Sequence, residues 1–199
     1  MFDRNKKISQ QTWISATFLL IFSALISKGL GFIREVLIAG KFGISSQVDA
    51  YLVAISVPSL IGGTIGSAFS VAIVPMYHKL LNKGSKTEAG NFIRTIFSFT
   101  TVLSIILMVI IYFIPETIIK IIAPALPEST MQTAGELLKW LLLLLIGYSL
   151  FNVLSSVYNA IHHFKIPAIT DMFSNLFIIT ALIFLSSAYG IYALVTGMT

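Results

Sequence analysis

TIFSFTTVLSIILMVIIYFI, residues 95–114, runs for twenty residues without a charge. Wound as a helix at 1.5 Å per residue, such a run is about 30 Å long, the thickness of a bilayer's hydrocarbon core. The rest of the chain repeats the pattern, with long apolar blocks separated by short polar segments. Of the 199 residues, 56% are hydrophobic and 11% charged, and mean hydropathy is +0.91. A water-soluble domain carries nearer a quarter charged residues, so this chain has too little polar surface to cover itself. The blocks predict an all-α, polytopic membrane helix bundle. Its helices are expected over 12–39, 48–81, 91–114, 131–161 and 166–187, with the start of a sixth at 190–199. A break is expected in the second near Pro58 to Gly63. Pro115, Pro124 and Pro127 mark a loop after the third, and Pro167 opens the fifth, where a missing N–H costs least.

Arg4, Lys6 and Lys7 precede the apolar run that begins at Trp13, an arrangement superficially like a secretory signal. The run continues for about twenty residues to Phe32 without a convincing small-x-small cleavage site, and several more spans follow, so it reads as an uncleaved first span. If the N-terminus is cytoplasmic, that side also receives Lys79, Lys83, Lys86, Arg94 and Lys165, while the other side receives only Lys41, Lys120 and Lys139. This bias satisfies the positive-inside rule. It also accounts for the net charge of +5 without a nucleic-acid partner, since no basic stripe with interleaved aromatics is present. The expected environment is a cytoplasmic (inner) membrane, with membrane lipids as neighbours and residues 1–199 as one membrane domain. With no cysteine in the chain, disulfides, thiolate metal sites and cysteine nucleophiles are excluded.

Lys28 and Arg34 are left over from that count. Both fall in the first helix, in Ser27-Lys28-Gly29-Leu30-Gly31-Phe32-Ile33-Arg34-Glu35. Helical rise puts them roughly 24 Å and 33 Å beyond Thr12, toward the outer half of the bilayer. There they either snorkel to the interface or face a cavity. Two cations and the Glu35 carboxylate on an interior face would suit a diphosphate and sugar headgroup, because arginine forks onto phosphate oxygens and lysine acts as a point charge. Glu35 returns to nearly the face of Lys28, while Arg34 lies well around the cylinder. The second helix carries Pro58, Gly62, Gly63 and Gly66, with small residues at 62, 66 and 70. That spacing serves either close helix packing or a hinge in a rocking transporter. Asp49 either caps the start of this helix or contacts a first-helix cation at a gate. Asp171 reads as an interfacial carboxylate. His162 and His163 are adjacent, point different ways and lack a third ligand, so no metal site is expected. Dinucleotide, P-loop and nucleophile-elbow patterns are missing, so neither catalytic residue nor cofactor is assigned.

Three blocks together resemble the MurJ/MviN family of lipid II flippases, within the multidrug/oligosaccharidyl-lipid/polysaccharide exporter superfamily. The first is Ser27 to Glu35 with Ala39-Gly40-Lys41-Phe42-Gly43 and Val48-Asp49-Ala50-Tyr51. The second runs from Pro58-Ser59-Leu60 through Ser67-Ala68-Phe69-Ser70 to Val74-Pro75. The third is Tyr158-Asn159-Ala160 with Phe164, Pro167-Ala168, Asn175 and Gly190-Ile191-Tyr192-Ala193-Leu194. The resemblance implies that Arg34 faces a central cavity, that Lys28 takes the place of a second family arginine, and that Asp49 lies near an outer gate. It implies as cargo an undecaprenyl-diphosphate-linked peptidoglycan precursor, moved between leaflets without chemistry. Two departures stand out. Gly62 and Gly63 occupy positions where the family commonly has an arginine pair, and Gly66-Ser67 replaces its Glu-Gly; that removes a cationic wall and leaves another lipid-linked oligosaccharide as the alternative cargo. Family members have about fourteen helices in two lobes, so this chain is similar to roughly the first. A working transporter would then pair it with a second lobe or with its own copy, and a truncated, non-transporting membrane fragment is the remaining reading.

Overall fold

The computed structural model describes residues 2–43, 45–82, 84–161 and 165–189, and among them every regular element is helical. In chain order these are α1 (Phe2–Phe42), α2 (Ser46–Asn82), α3 (Lys86–Phe113), α4 (Pro115–Ile122), α5 (Glu128–Leu141), α6 (Leu143–Ala160) and α7 (Lys165–Tyr189). Where the helices stop, the sequence supplies the stop. Gly43 takes φ of +63° and donates its N–H to the Ala39 carbonyl at 2.9 Å, closing α1 in the left-handed conformation that costs glycine least. Ser45 then opens α2, its Oγ accepting from the Val48 N–H at 3.4 Å. Ser85 does the same for α3, accepting from Glu88 N–H at 3.2 Å. Pro115 begins α4, where its lack of a donor leaves nothing unsatisfied.

The observed boundaries depart from the expected ones in four places. α2 is continuous through Pro58 and Pro75, so the expected break at 58–63 is not seen. In an apolar surrounding, unwinding would leave backbone groups without partners, which costs more than tolerating one missing bond at a proline. α3 begins at Lys86 rather than near Asn91, because Ser85 with Glu88 three residues on forms a capping pair. The proline-marked loop after α3 holds a further helix, α4, whose Pro115 and Ile119 are buried. The single helix expected over 131–161 starts at Glu128 and slips at Leu142. That residue keeps helical dihedrals and donates to Leu138 O at 2.9 Å, but its own carbonyl is taken by Leu145 N–H, three residues on, at 3.0 Å. Residues 190–199, His162 and His163 lie outside the described residues.

α2 is the hub: it packs chiefly against α6 and α5, and also against α3, while α1 packs chiefly along α7 and touches α2 lightly. Paired positions increase together along α1 and α7, from Ser27 with Asn175 to Lys41 with Leu182, so the two run parallel. The main core joins Ala50, Tyr51, Ala54 and Val57 of α2 to Leu137, Leu138, Leu141 and Leu145, with Ile38, Ile178 and Leu182 at its edge. A smaller cluster of Ile73, Ile96 and Val153 ties α2, α3 and α6 together. The outside is apolar too: Val71, Phe113, Phe184 and Phe32 are all more than 70% exposed. Such a surface suits lipid and not water. Among the described residues, α2, α3 and α6 are long and apolar enough to cross a membrane, and α7 has a shorter apolar stretch over Met172–Phe184. Lipid tails are as apolar as leucine, so burial between helices gains little by itself. Close approach and hydrogen bonds must do the holding, and small residues line the α2–α6 seam accordingly.

Candidate functional site

Arg34 lies eight residues before the end of α1, about 12 Å along the axis, and its side chain is one-quarter exposed. Because α1 starts well before Thr12, a depth counted from that residue has no structural origin. The register with α7 is the better guide. Arg34 Nη1 donates to Asn175 Oδ1 at 3.4 Å, and Asn175 Nδ2 donates in turn to Ser27 O and Ser27 Oγ, each at 3.4 Å. Asn175 is ten residues into α7, so the charge sits away from the ends of both helices. Nη2 donates to Glu35 Oε1 at 2.7 Å, and that carboxylate is half exposed. Neighbouring residues on a helix do not face each other, but the length of the guanidinium arm lets it reach around. The site is therefore a junction of α1 and α7, with one cation, one carboxylate, an amide and a hydroxyl.

One donor is left over. Arg34 Nε is buried and has no acceptor among the described residues. A guanidinium carries five N–H donors, and leaving one buried without a partner costs about 1–3 kcal/mol, more for a charged group. A buried donor without a partner calls for an explanation.

The remaining expected site residues distribute as follows. Lys28 is exposed and takes no part in the Arg34 network. Asp49 is exposed in the first turn of α2, where a carboxylate favours the helix dipole; the capping side chain is that of Ser45, one position before the helix begins. Among the described residues Asp49 has no ion pair with α1. Pro58 is buried within α2. Gly62 and Gly66 lie on α6: a Cβ at 62 would fall 2.6 Å from Leu145 O, and one at 66 would fall 2.3 Å from Asn152 Cβ. Ser70 continues the seam, hydrogen-bonded to Ser156 Oγ. Gly63 faces open space, with nothing within 4 Å of a Cβ. The small-residue series at 62, 66 and 70 is thus occupied in packing, and Gly63 is not part of it.

Asn175 and Ser27 were not chosen as site residues from the sequence. A signal existed for Asn175: an amide set among Met172, Phe173, Leu176, Phe177 and Ile178 has no cheap solution in lipid except a partner on another helix. Among the described residues no group of three histidine, aspartate or glutamate side chains could hold a metal ion.

The family model described as lipid II flippase MurJ matches residues 38–199. A lipid II flippase MurJ of Thermosipho africanus is 31% identical over 183 residues, which cover 92% of this chain and 38% of the relative. A protein of Buchnera aphidicola, described as a "Probable lipid II flippase MurJ", is 30% identical over 168 residues, 83% of this chain and 33% of the relative. A solved structure, "Lipid II flippase MurJ, inward closed conformation", superposes with a TM-score of 0.79 at 31% identity, over 91% of this chain and 38% of that one. The chain thus spans a little over a third of the length of the relatives it matches.

Proposed function

Because this chain belongs to the MurJ lipid II flippase family, we propose that it is the headgroup-handling part of a flippase that moves an undecaprenyl-diphosphate-linked peptidoglycan precursor across the cytoplasmic membrane. The observation that carries this reading is Arg34, anchored by Asn175 and Glu35 with a buried Nε donor still unpaired. Glu35 is half exposed and cannot fully neutralise the cation. An incoming diphosphate offers several strong acceptors and can take over the guanidinium, which pairs with phosphate through two parallel bonds. Lys28, exposed on the same helix, would then act as a second, mobile point charge toward the same headgroup. No bond is made or broken: the protein lowers the cost of carrying a polar headgroup past hydrocarbon. In this reading the helices form five spans, α1, α2, α3, α5 with α6, and α7, with a sixth beginning at 190, in one membrane domain whose N-terminus is cytoplasmic as the lysine and arginine bias favours. Alternating access needs one repeat to rock against another, so a second lobe or a second copy completes the cavity. Asp49 would stand at its outer gate, and Pro58 would flex within α2.

Arg34→Ala is expected to abolish transport of fluorescently labelled lipid II in proteoliposomes, and Arg34→Lys to leave a small residue of it. Full transport by the alanine variant would sink the assignment. A second cargo, another lipid-linked oligosaccharide, is favoured by one observation: Gly62, packed against α6 with no room for a side chain, carries no cation where the resemblance implies an arginine pair. Competition between lipid II and an undecaprenyl-diphosphate oligosaccharide of different sugar content separates the two.

A further inference from the structure

Between the last turns of α3 and α5 and the first of α6 lies an open groove of about 410 Å³, lined by Met108, Val109, Tyr112, Phe113, Leu142 and Leu143, with Lys139 as its one charged wall residue. Its volume is in the range that holds a small ligand. Lys139 Nζ stands 5.9 Å from the centre of the Tyr112 ring. A ring face holds the cation without using up its N–H donors. Among the described residues no carboxylate pairs with Lys139; Glu136, one turn earlier, is exposed and makes no ion pair. The groove continues into an exposed apolar strip of α3 that includes Val102, Ile106 and Val109. Tyr112, which lines the groove, and Trp140, next to Lys139 in the chain, are 50% and 68% exposed near helix ends, as aromatic side chains are at a membrane interface. The groove is walled by α3, α5 and α6, whereas the Arg34 network joins α1 and α7, so the two share no residue.

We propose that this groove binds an anionic glycerophospholipid of the surrounding bilayer, with one acyl chain along Val109 and Leu143 and the phosphate on Lys139. An apolar channel open along a lipid-facing strip selects a chain over a soluble ligand. An unneutralised cation at its interfacial end selects a negative headgroup over a zwitterionic one. The proposal rests on the chain lying in a membrane and not on the transport reading, since it uses none of the Arg34 network.

The test uses the whole protein in nanodiscs of equal phosphatidylglycerol and phosphatidylcholine, with retained lipids counted by native mass spectrometry. Wild-type protein is expected to retain phosphatidylglycerol about fivefold over phosphatidylcholine, the preference one interfacial cation gives. Lys139→Ala is expected to level the ratio, Lys139→Arg to keep it, and Leu143→Trp, which fills the groove, to lower retention of both lipids. A preference unchanged in Lys139→Ala, or no preference in wild type, overturns the proposal. So does a photo-crosslinking residue at position 112 that captures protein in place of lipid, since the groove would then be an internal packing surface.

Discussion

Alanine at Gly66 would put a methyl group 2.3 Å from Asn152 Cβ and 2.7 Å from the Ser149 carbonyl oxygen, both on α6. Neither neighbour is the loose end of a long side chain, so α2 and α6 must move apart. Overpacking of this kind costs about 1–3 kcal/mol. Alanine at Gly63 meets nothing within 4 Å, and there the gain in helix propensity, up to about 1 kcal/mol, is unopposed. Thermal unfolding of the purified protein in detergent is expected to show Gly66→Ala clearly destabilised and Gly63→Ala unchanged or improved; equal shifts would show that the seam is not packed as described. These two glycines look alike in the sequence, which shows a proline followed by small residues and supports hinge and packing equally. Distances to α6 separate them. Asn175 makes the same point from the other side. Asn175→Ala removes the amide that joins Arg34 to Ser27, leaving Glu35 as the guanidinium's recorded partner, and is expected to cut lipid II transport severalfold while Asn175→Gln retains part of it. Transport at the wild-type rate in the alanine variant would remove Asn175 from the site.

At the scale of the helix, α2 carries the question of flexibility. It holds Pro58 and Pro75 without interruption over 37 residues. Pro58 removes the backbone bond to the Ala54 carbonyl, and the nearby hydroxyls go to other carbonyls, Ser56 to Val53 O at 2.7 Å and Ser59 to Ser56 O at 3.0 Å. Pro58→Ala is expected to leave or raise the unfolding temperature and to slow transport if the weakened turn flexes in the cycle. Unaltered transport with raised stability would reduce Pro58 to a tolerated residue. The start of α3 offers a cleaner measure of local design. Ser85→Ala loses the hydroxyl that accepts from Glu88 N–H and is expected to lower stability by about 1 kcal/mol, read in the same unfolding experiment. The Ser85–Glu88 pattern was available in the sequence and sets the helix start earlier than hydrophobicity does. The slip at Leu142 was not available: the run Leu141–Leu145 has no proline, glycine or polar residue to mark it, and only the hydrogen bond from Leu145 N–H to Leu142 O shows it.

Over the whole molecule, the uneven packing of α1 is the feature with mechanical meaning. It leans on α7 through Arg34, Ser27 and Lys41, whose Nζ donates to Leu182 O at 2.6 Å, and meets α2 lightly. A movement of α1 with α7 against the α2–α6 body therefore breaks the fewest contacts. Spin labels at the exposed positions Phe32 and Phe173 are expected to keep one narrow distance with and without lipid II, while Phe32 and Leu60, on α1 and α2, change theirs. The reverse pattern would refute the pairing. The chain has no native cysteine, so such labels can be placed without background. The helical class, the membrane environment and the family were legible in the sequence alone, because each depends on residue type along the chain: uncharged runs of bilayer length, lysine and arginine sorted by loop, and motifs around Arg34, Asp49 and Pro58. Which glycines touch another helix, which amide holds Arg34, and which ring Lys139 meets were decided by tertiary structure. Those depend on the rotation and register of one helix against another, and in a chain apolar on nearly every face the sequence pattern carries little phase to fix either.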